Sequence, residues 1–416
     1  MSKEISIPLE IPNIRVLSTK TNGKGDYIIT VESTFEHTDC GRCGRKISQF
    51  HGHDRLIQVR HLPILGREVY IRLRPKRYEC RHCSRKGSRK TTTQQLSWYR
   101  PKSRHSKGYE ERILVQLVNS TIEDVTHKEK IGYETVVGIL ESYIETKVDW
   151  LAFDYLDVIG IDEIALQKGH NHYIVIISAR LRDGTLKLLT ILPNREKVTV
   201  KAFLATIPTR LKRTIHTVCT DMWQAYINAA KEELTDADLV VDRFHVAQKY
   251  RDCTDQLRKQ ELRRLKAALE PDAYDTIKGV MWPLRKNIPD LTPDETALLD
   301  RLFTYSPDLE LAYDFRNDLT AIFDKHQTKA QATTAIKVWR DDVEKSTLSC
   351  FDPFLTTLDT YLDEITNYFL LRHSSGFVEG LNNKIKVLKR RCFGFHKLDH
   401  LFQRLFLDLE GYSLFA

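Results

Sequence analysis

The chain has 416 residues, 41% apolar and 29% charged, an ordinary balance for a soluble globular protein of two to four domains. No run of about 18 apolar residues occurs, which excludes a spanning helix of the usual kind. The net charge of +8 is uneven: from Arg72 to Lys107 there are 13 Lys or Arg against one acid, Glu79. Such a block points to phosphate-bearing partners. The start, MSKEISIPLEIPNIRVL, lacks a basic region followed by a long apolar core, so no signal peptide is read and a cytoplasmic location is expected.

Short strand-like runs such as IRVLS and DYIITVEST open the chain. Next come CGRCG and, after further strand-like residues, YECRHC. Val69, Ile71 and Leu73 alternate with Tyr70, Arg72 and Arg74, which predicts a strand with one buried and one basic face. Pro63 and Gly66 suit a turn before it. The N-terminal unit is therefore expected to be small and β-rich, with a Cys pair at each end of its sheet. Each C-x2-C turn supplies two sulfurs, and two such knuckles complete a closed tetrahedral zinc site. Cys40, Cys43, Cys80 and Cys83 are the expected ligands of one structural Zn2+, and His82 is not. The remaining cysteines, Cys219, Cys253, Cys350 and Cys392, are scattered. A long chain without a signal peptide does not read as a disulfide scaffold.

Residues 84–107 are polar and basic, and read as a linker or a DNA-contacting arm. From Tyr109 the period becomes helical, and STIEDVTHKEKIGYETVVGILESYIE reads as helix, turn, helix. Ser120 with Glu123 fits a capping box. Glu129 and Lys130 stand where a DNA-binding helix-turn-helix usually has an apolar residue and a Gly. Two ordinary packed helices are the alternative.

From Asp157 the chain predicts strands again. VIGID, HYIVIISAR and LKLLTIL form an antiparallel meander. Val198–Ile207 is helical, TIHTVCTD a buried strand, MWQAYINAAKEEL a helix and DLVVDRFHV a further short strand. This alternation implies an α/β layer with parallel pairing. From Ala247 to Leu371 the chain is almost wholly helical, and SSGFVEGLNNKIKVLKRRCFGFHKLDHLFQRLF adds one or two helices.

Asp162 and Asp221 each end a strand of the α/β layer, where ligands gather in open sheets. Two carboxylates brought together repel unless a cation lies between them, which points to Mg2+ or Mn2+. Glu379 is the candidate third acid. On a helix, Glu379, Asn383, Lys386 and Arg390 fall within about 60° of one another, opposite Leu381, Ile385, Leu388 and Cys392. Glu163 should point to the other face of the pleat from Asp162 and serve as a control.

The segments GIDEIALQKGHNHY, VCTDMWQAY, VVDRFHVAQ and EGLNNKIKVLKRRCFGF, in this order after the cysteine pairs, resemble the DDE transposases of bacterial insertion sequences of the ISL3 type. The resemblance spans about residues 35–412. It implies a multidomain α+β and α/β fold: a β-rich zinc-binding domain over 1–90, a basic arm and helix-turn-helix over 91–150, and a ribonuclease H-like catalytic domain. The catalytic domain would comprise 151–246 and 372–416, interrupted by a helical insertion over 247–371. On matching positions the resemblance makes Asp162, Asp221 and Glu379 the catalytic acids, with two Mg2+ or Mn2+ per active site. Asp242 and His245 fall near that site; His245 positions DNA, braces the acids, or is a satisfied core histidine. The pair before the acid often reads Asn-Gly in that family and is Ser375-Gly376 here; Ser can cap a helix as Asn does.

Phosphate contacts are expected from Arg72, Arg74, Lys76, Arg77, Arg85, Lys86, Arg89 and Lys90, and from Asn383, Lys386, Lys389, Arg390 and Arg391 beside the cleft. Implied partners are double-stranded DNA, as terminal inverted repeats and target, and a second copy of the chain, with the protein at the nucleoid of a bacterial or archaeal cell. A non-catalytic DNA-binding regulator, or a structure-specific nuclease of the same fold, is the alternative.

Overall fold

A computed structural model describes residues 8–85, 88–165, 173–373, 376–392 and 397–416. Lys86, Ser375 and parts of two family-like segments, 166–172 and 393–396, lie outside the described residues. The chain divides into two compact units. One comprises residues up to Glu145 with Gln403–Ala416; the other is Thr146–Phe402. The C-terminal segment 372–416 is thus shared between the two.

In the first unit, β1 (Ile14–Thr21), β2 (Tyr27–Ser33), β6 (Ile57–Ile64) and β7 (Arg67–Leu73) form a sheet of order β1-β2-β7-β6. The period-two reading holds: Val69, Ile71 and Leu73 are fully buried. The β6–β7 turn takes positive φ at Leu65 and Gly66. The cysteine pairs do not flank this sheet. They sit on two smaller ones, β3 (Thr38–Asp39) with β4 (Lys46–Ile47), and β5 (Gln49–His53) with β8 (Lys76–Glu79) and β9 (Thr91–Thr93). The linker reading of 84–107 is also corrected. β9 pairs with β8, and Leu96, Trp98 and Tyr99 are buried in the core of the larger sheet. Three apolar side chains in a basic stretch were enough to dock it.

Helices α1 (Lys107–Leu117), α2 (Ile122–Glu129) and α3 (Tyr133–Tyr143) follow. The cap of α2 lies one residue later than the expected box: Thr121 accepts from the Asp124 N–H at 3.0 Å. The two unusual turn residues are both accounted for. Lys130 itself takes the left-handed conformation, φ 54°, that a Gly would hold at lower cost. Glu129 is buried, and its carboxylate accepts from Tyr109 Oη and Arg112 Nε, each at 3.1 Å, and from Gln116. Arg60 of β6 donates to the Glu129 carbonyl at 2.8 Å and lies over the Tyr109 ring at 4.7 Å. The acid therefore fastens the helices to one another and to the sheet. Glu129→Ala should cost about 3–5 kcal/mol by stranding buried donors; urea unfolding of the full chain measures this. An unchanged midpoint would make the cluster dispensable.

In the second unit, β10 (Val158–Ala165), β11 (Tyr173–Arg180) and β12 (Leu186–Leu192) form the antiparallel meander. β13 (Thr217–Thr220) and β14 (Asp238–Val241) add in parallel, giving the order β12-β11-β10-β13-β14. Helices α4 (Lys197–Ala205), α5 (Thr209–Lys212) and α6 (Gln224–Glu233) provide the crossovers. Val158 to Ile161 are all buried, as expected of a strand covered on both faces.

Helix α7 (Arg243–Ala268) begins four residues before the expected helical stretch. DRFHV is therefore a strand end and a helix start: the Asp242 carboxylate caps α7 by accepting from the Phe244 N–H at 3.1 Å. Then come α8 (Pro271–Asp275), α9 (Pro293–Tyr305), α10 (Pro307–Asp324), α11 (Lys329–Lys345), α12 (Asp352–Thr366) and α13 (Tyr368–Leu371). Several start on a Pro, which suits the first turn because its missing N–H has no acceptor there. α14 (Gly376–Arg391) returns to the sheet, and α15 (Leu398–Phe415) ends the chain. No described helix is long and apolar enough to cross a membrane.

Candidate active site

Strand register brings the first two acids together. Ile161 of β10 lies beside Thr220 of β13 in a parallel pair. Asp162 and Asp221, one residue further on, therefore lie on neighbouring strands about 4.8 Å apart in the sheet direction. Asp162 does not end its strand as expected, because β10 continues to Ala165 in its pairing with β11, whereas Asp221 directly follows β13. Burial raises the proton affinity of both. Asp221 is pushed up to about 6, first by burial and then by the charges of Asp162 and Glu163, against the opposing influence of His245. Asp242 caps α7 from the end of the next strand, and its charge also raises Asp162. His245 Nε2 stands 3.9 Å from Asp242 Oδ2. Adjacent strands and a capped helix thus place Asp162, Asp221 and Asp242 within electrostatic reach of His245.

Alternation along β10 puts Gly160 and Asp162 on one face and Glu163 on the other. α14 packs on the first face. A Cβ at Gly160 would sit 2.3 Å from Val378 Cγ2 and 3.0 Å from the Phe377 ring, so only Gly admits the helix this close. One turn on, the buried Asn382 donates to Asp162 Oδ2 at 2.5 Å. Lys389 Nζ donates to the Ala165 carbonyl at 2.6 Å. α14 therefore runs beside β10 along its length. Gly160→Ala should displace α14 and abolish any activity that needs the helix, at about 1–3 kcal/mol of overpacking. Near-normal activity of that variant would show that the close approach is not needed.

The amphipathic reading of α14 holds: Leu381, Ile385 and Leu388 are buried, while Glu379, Asn383, Lys386 and Arg390 are exposed. Glu379 lies one turn before Asn382, on the helix that touches Asp162. It is not drawn into the acid cluster: among the described residues, only the four cysteines converge as metal ligands within 4.8 Å. Sequence reasoning missed Asn382 and selected its exposed neighbour Asn383. The signal was available, since Asn382 falls on the apolar stripe between Val378 and Ile385, where an amide needs a partner. Lys389, expected on phosphate, is partly buried against Ala165, which lowers its proton affinity.

Glu163 is no neutral control. It accepts from Tyr226 Oη at 2.9 Å and Arg195 Nη1 at 3.2 Å. The Arg195 guanidinium lies over the Trp223 ring at 4.3 Å and the Tyr173 ring at 4.6 Å. Removing Glu163 would disturb Asp221 through this network.

In the first unit the four thiols meet as expected. Cys40 Sγ is 3.9 Å from Cys83 Sγ, and Cys43 Sγ is 3.8 Å from Cys80 Sγ. A tetrahedron of sulfurs about 2.3 Å from zinc has edges of about 3.8 Å, so the donor set fits that ion. The Arg42 and Cys43 backbone N–H groups pull the Cys40 thiol down to about 6, whereas neighbouring sulfurs, Cys43 first, push Cys83 up to about 12. Such a conflict among four thiols is relieved by a divalent cation. His82 is exposed and outside the set. Of the basic block, Arg74, Arg85 and Arg89 are exposed and Lys90 is half-buried. Arg72 donates to Gln58 at 2.9 Å, Arg77 to Thr91 at 2.6 Å and Lys76 to the Phe35 carbonyl at 3.3 Å.

With this geometry in place, comparison with known proteins assigns the family. A sequence model of ISL3-type DDE transposases, described as Transposase, matches residues 159–405. A second, described as the zinc-finger of transposases of IS204, IS1001, IS1096 and IS1165, matches residues 36–83. The chain belongs to the ISL3-type DDE transposase family. It is 28% identical to the transposase for insertion sequence element IS1001 of Bordetella parapertussis, over 89% of each chain. It is 24% identical to the transposase for IS1557 of Mycobacterium tuberculosis, over 90% of this chain and 86% of that one. The Drosophila P element transposase strand transfer complex aligns with TM-score 0.42 and 11% identity, over 73% of this chain and 92% of that one.

Proposed function

We propose that Asp162, Asp221 and Glu379 form the catalytic centre of this transposase, in a ribonuclease H-like domain over 151–246 and 372–416 that the helical stretch 247–371 interrupts. The observation that carries the reading is the pair of half-buried carboxylates on adjacent strands, Asp162 inside β10 and Asp221 just past β13, with Asp221 held at about 6. Asp162 and Asp221 would hold two Mg2+ or Mn2+ ions, and Glu379 would join them when α14 meets DNA. Bound there, such ions supply the charge that activates an attacking hydroxyl and shields a leaving 3′-oxygen. Asn382, donating to Oδ2, and the Glu163 backbone N–H, donating to Oδ1 at 2.7 Å, orient the Asp162 carboxylate. His245 offsets part of the acids' charge without being a ligand. No Tyr or Ser nucleophile is assigned, since in-line attack by water or a DNA 3′-hydroxyl needs no covalent intermediate.

The zinc domain (1–90) and the helix-turn-helix region (91–150) would bind terminal inverted repeats. Arg74, Arg85, Arg89 and Lys90 would hold phosphates there, and Lys386 and Arg390 beside the acids. Joining two ends in one assembly calls for at least a dimer. The test is a cleavage and joining assay on labelled end-repeat DNA with Mg2+ or Mn2+. Cleavage followed by joining to a second duplex is expected. Cleavage without joining would make the protein a nuclease, and neither would leave a DNA-binding regulator.

A further inference from the structure

Helix α7 leads out of the acid cluster and lines a second site. Asp242 caps the helix, His245 faces the acids, and Phe244 between them is 51% exposed. A cavity of about 220 Å³ opens beside Phe244, between α7, the turn at Leu284–Arg285 and Arg316 of α10. Phe244, Arg251, Asp255 and Arg258 recur along α7 at three- to seven-residue steps, which keeps them on one face. From Phe244 to Arg258 that face is about 21 Å long.

Its charge is unbalanced. Four arginines, Arg251, Arg258, Arg285 and Arg316, face two aspartates, Asp252 and Asp255. Asp255 is already engaged, with Arg258 and Lys259 at 2.9 Å and Arg285 at 3.4 Å. Arg316 is 1% exposed, and no carboxylate among the described residues is paired with it. Its Nη2 donates to the Lys286 carbonyl at 2.7 Å and to Asn287 Oδ1 at 3.0 Å, and Nη1 to the Leu284 carbonyl. Its Nε–H has no acceptor among the described residues. Burying a guanidinium beside another cation and without a counter-ion is costly; burial, then Arg251, lowers the proton affinity of Arg316. A phosphate in the cavity would remove both penalties.

We propose that this cavity is a nucleotide-phosphate site, with Arg251 and Arg285 holding the phosphate from the rim, Arg316 from the floor, and the Phe244 ring stacking on the base. Guanidinium forks match phosphate oxygens, and an exposed ring accepts any base. The nucleotide is either part of a DNA strand or free.

The test is hydrogen–deuterium exchange on the full chain, with a deoxynucleoside monophosphate, the same nucleoside without phosphate, and a short single-stranded oligonucleotide. Slowed exchange over 244–258 and 283–287 is expected with a phosphate-bearing ligand and not with the nucleoside. Protection by the mononucleotide marks a free nucleotide as sufficient; protection by the oligonucleotide alone marks a strand. Arg251→Ala with Arg285→Ala, both exposed positions, should weaken binding about tenfold or more, and Phe244→Ala should weaken it too. No protection with either phosphate ligand, protection by the nucleoside alone, or equal protection in the double variant would overturn the site. The experiment needs neither metal nor cleavage, so its failure is separable from failure of the catalytic reading.

Discussion

The Asp221→Asn protein should lose strand cleavage by on the order of a thousandfold or more, and yet unfold later than its parent at neutral pH. Both effects follow from one half-buried carboxylate. Its folded-state proton affinity is raised from the ordinary 3.8 to about 6. Between those values the folded chain holds more protons than the unfolded one, so stability is complete below about pH 4 and falls as pH rises to 6. Above that the loss is constant, on the order of 1–3 kcal/mol for a shift of this size. Asparagine carries no charge and keeps an oxygen for the Trp223 N–H, which now donates to Asp221 at 3.2 Å. The variant should therefore gain stability at pH 7 and none at pH 4. Mg2+ should stabilise the parent more at pH 7 than at pH 5, and the variant little at either. Urea unfolding at the two pH values, beside the cleavage assay, separates a metal-binding acid from a merely structural one. A variant that is less stable and still cleaves would remove Asp221 from the centre.

The second large effect lies in the first unit. Cys40→Ser should abolish tight zinc binding and unfold the small sheets around it. Those sheets have strands of two to five residues and a core of little more than Ile47, Tyr78 and the cysteines. Such a core cannot offset its chain entropy, whereas structural zinc contributes on the order of 10 kcal/mol in small domains. One zinc per chain is expected by metal analysis of the parent. Chelator should lower its melting temperature, and the variant should melt like the chelated parent. A Cys40→Ser protein with full zinc would contradict the four-thiolate site.

Much of this architecture was legible in the sequence because period and spacing are local signals. Alternation fixed β7, the buried runs located β10 and β13, and the C-x2-C pairs marked the four thiols that converge. What escaped depends on partners distant in the chain. Glu129 looked wrong for its turn because its donors, Arg60 and Tyr109, lie 69 and 20 residues away. The stretch 84–107 read as a linker or a DNA-contacting arm because Trp98 and Tyr99 find their core on another sheet. Asn382 was passed over for Asn383 because only the docking of α14 on Gly160 shows which amide meets Asp162. Glu163 looked like a control until its neighbours on α6 were visible.

The most direct measurement is a Mn2+ titration of the full chain followed by electron paramagnetic resonance of the free ion. The parent is expected to withdraw Mn2+ at a site that Asp162→Asn loses and Mg2+ competes for. Identical binding curves for the parent and Asp162→Asn proteins would contradict it.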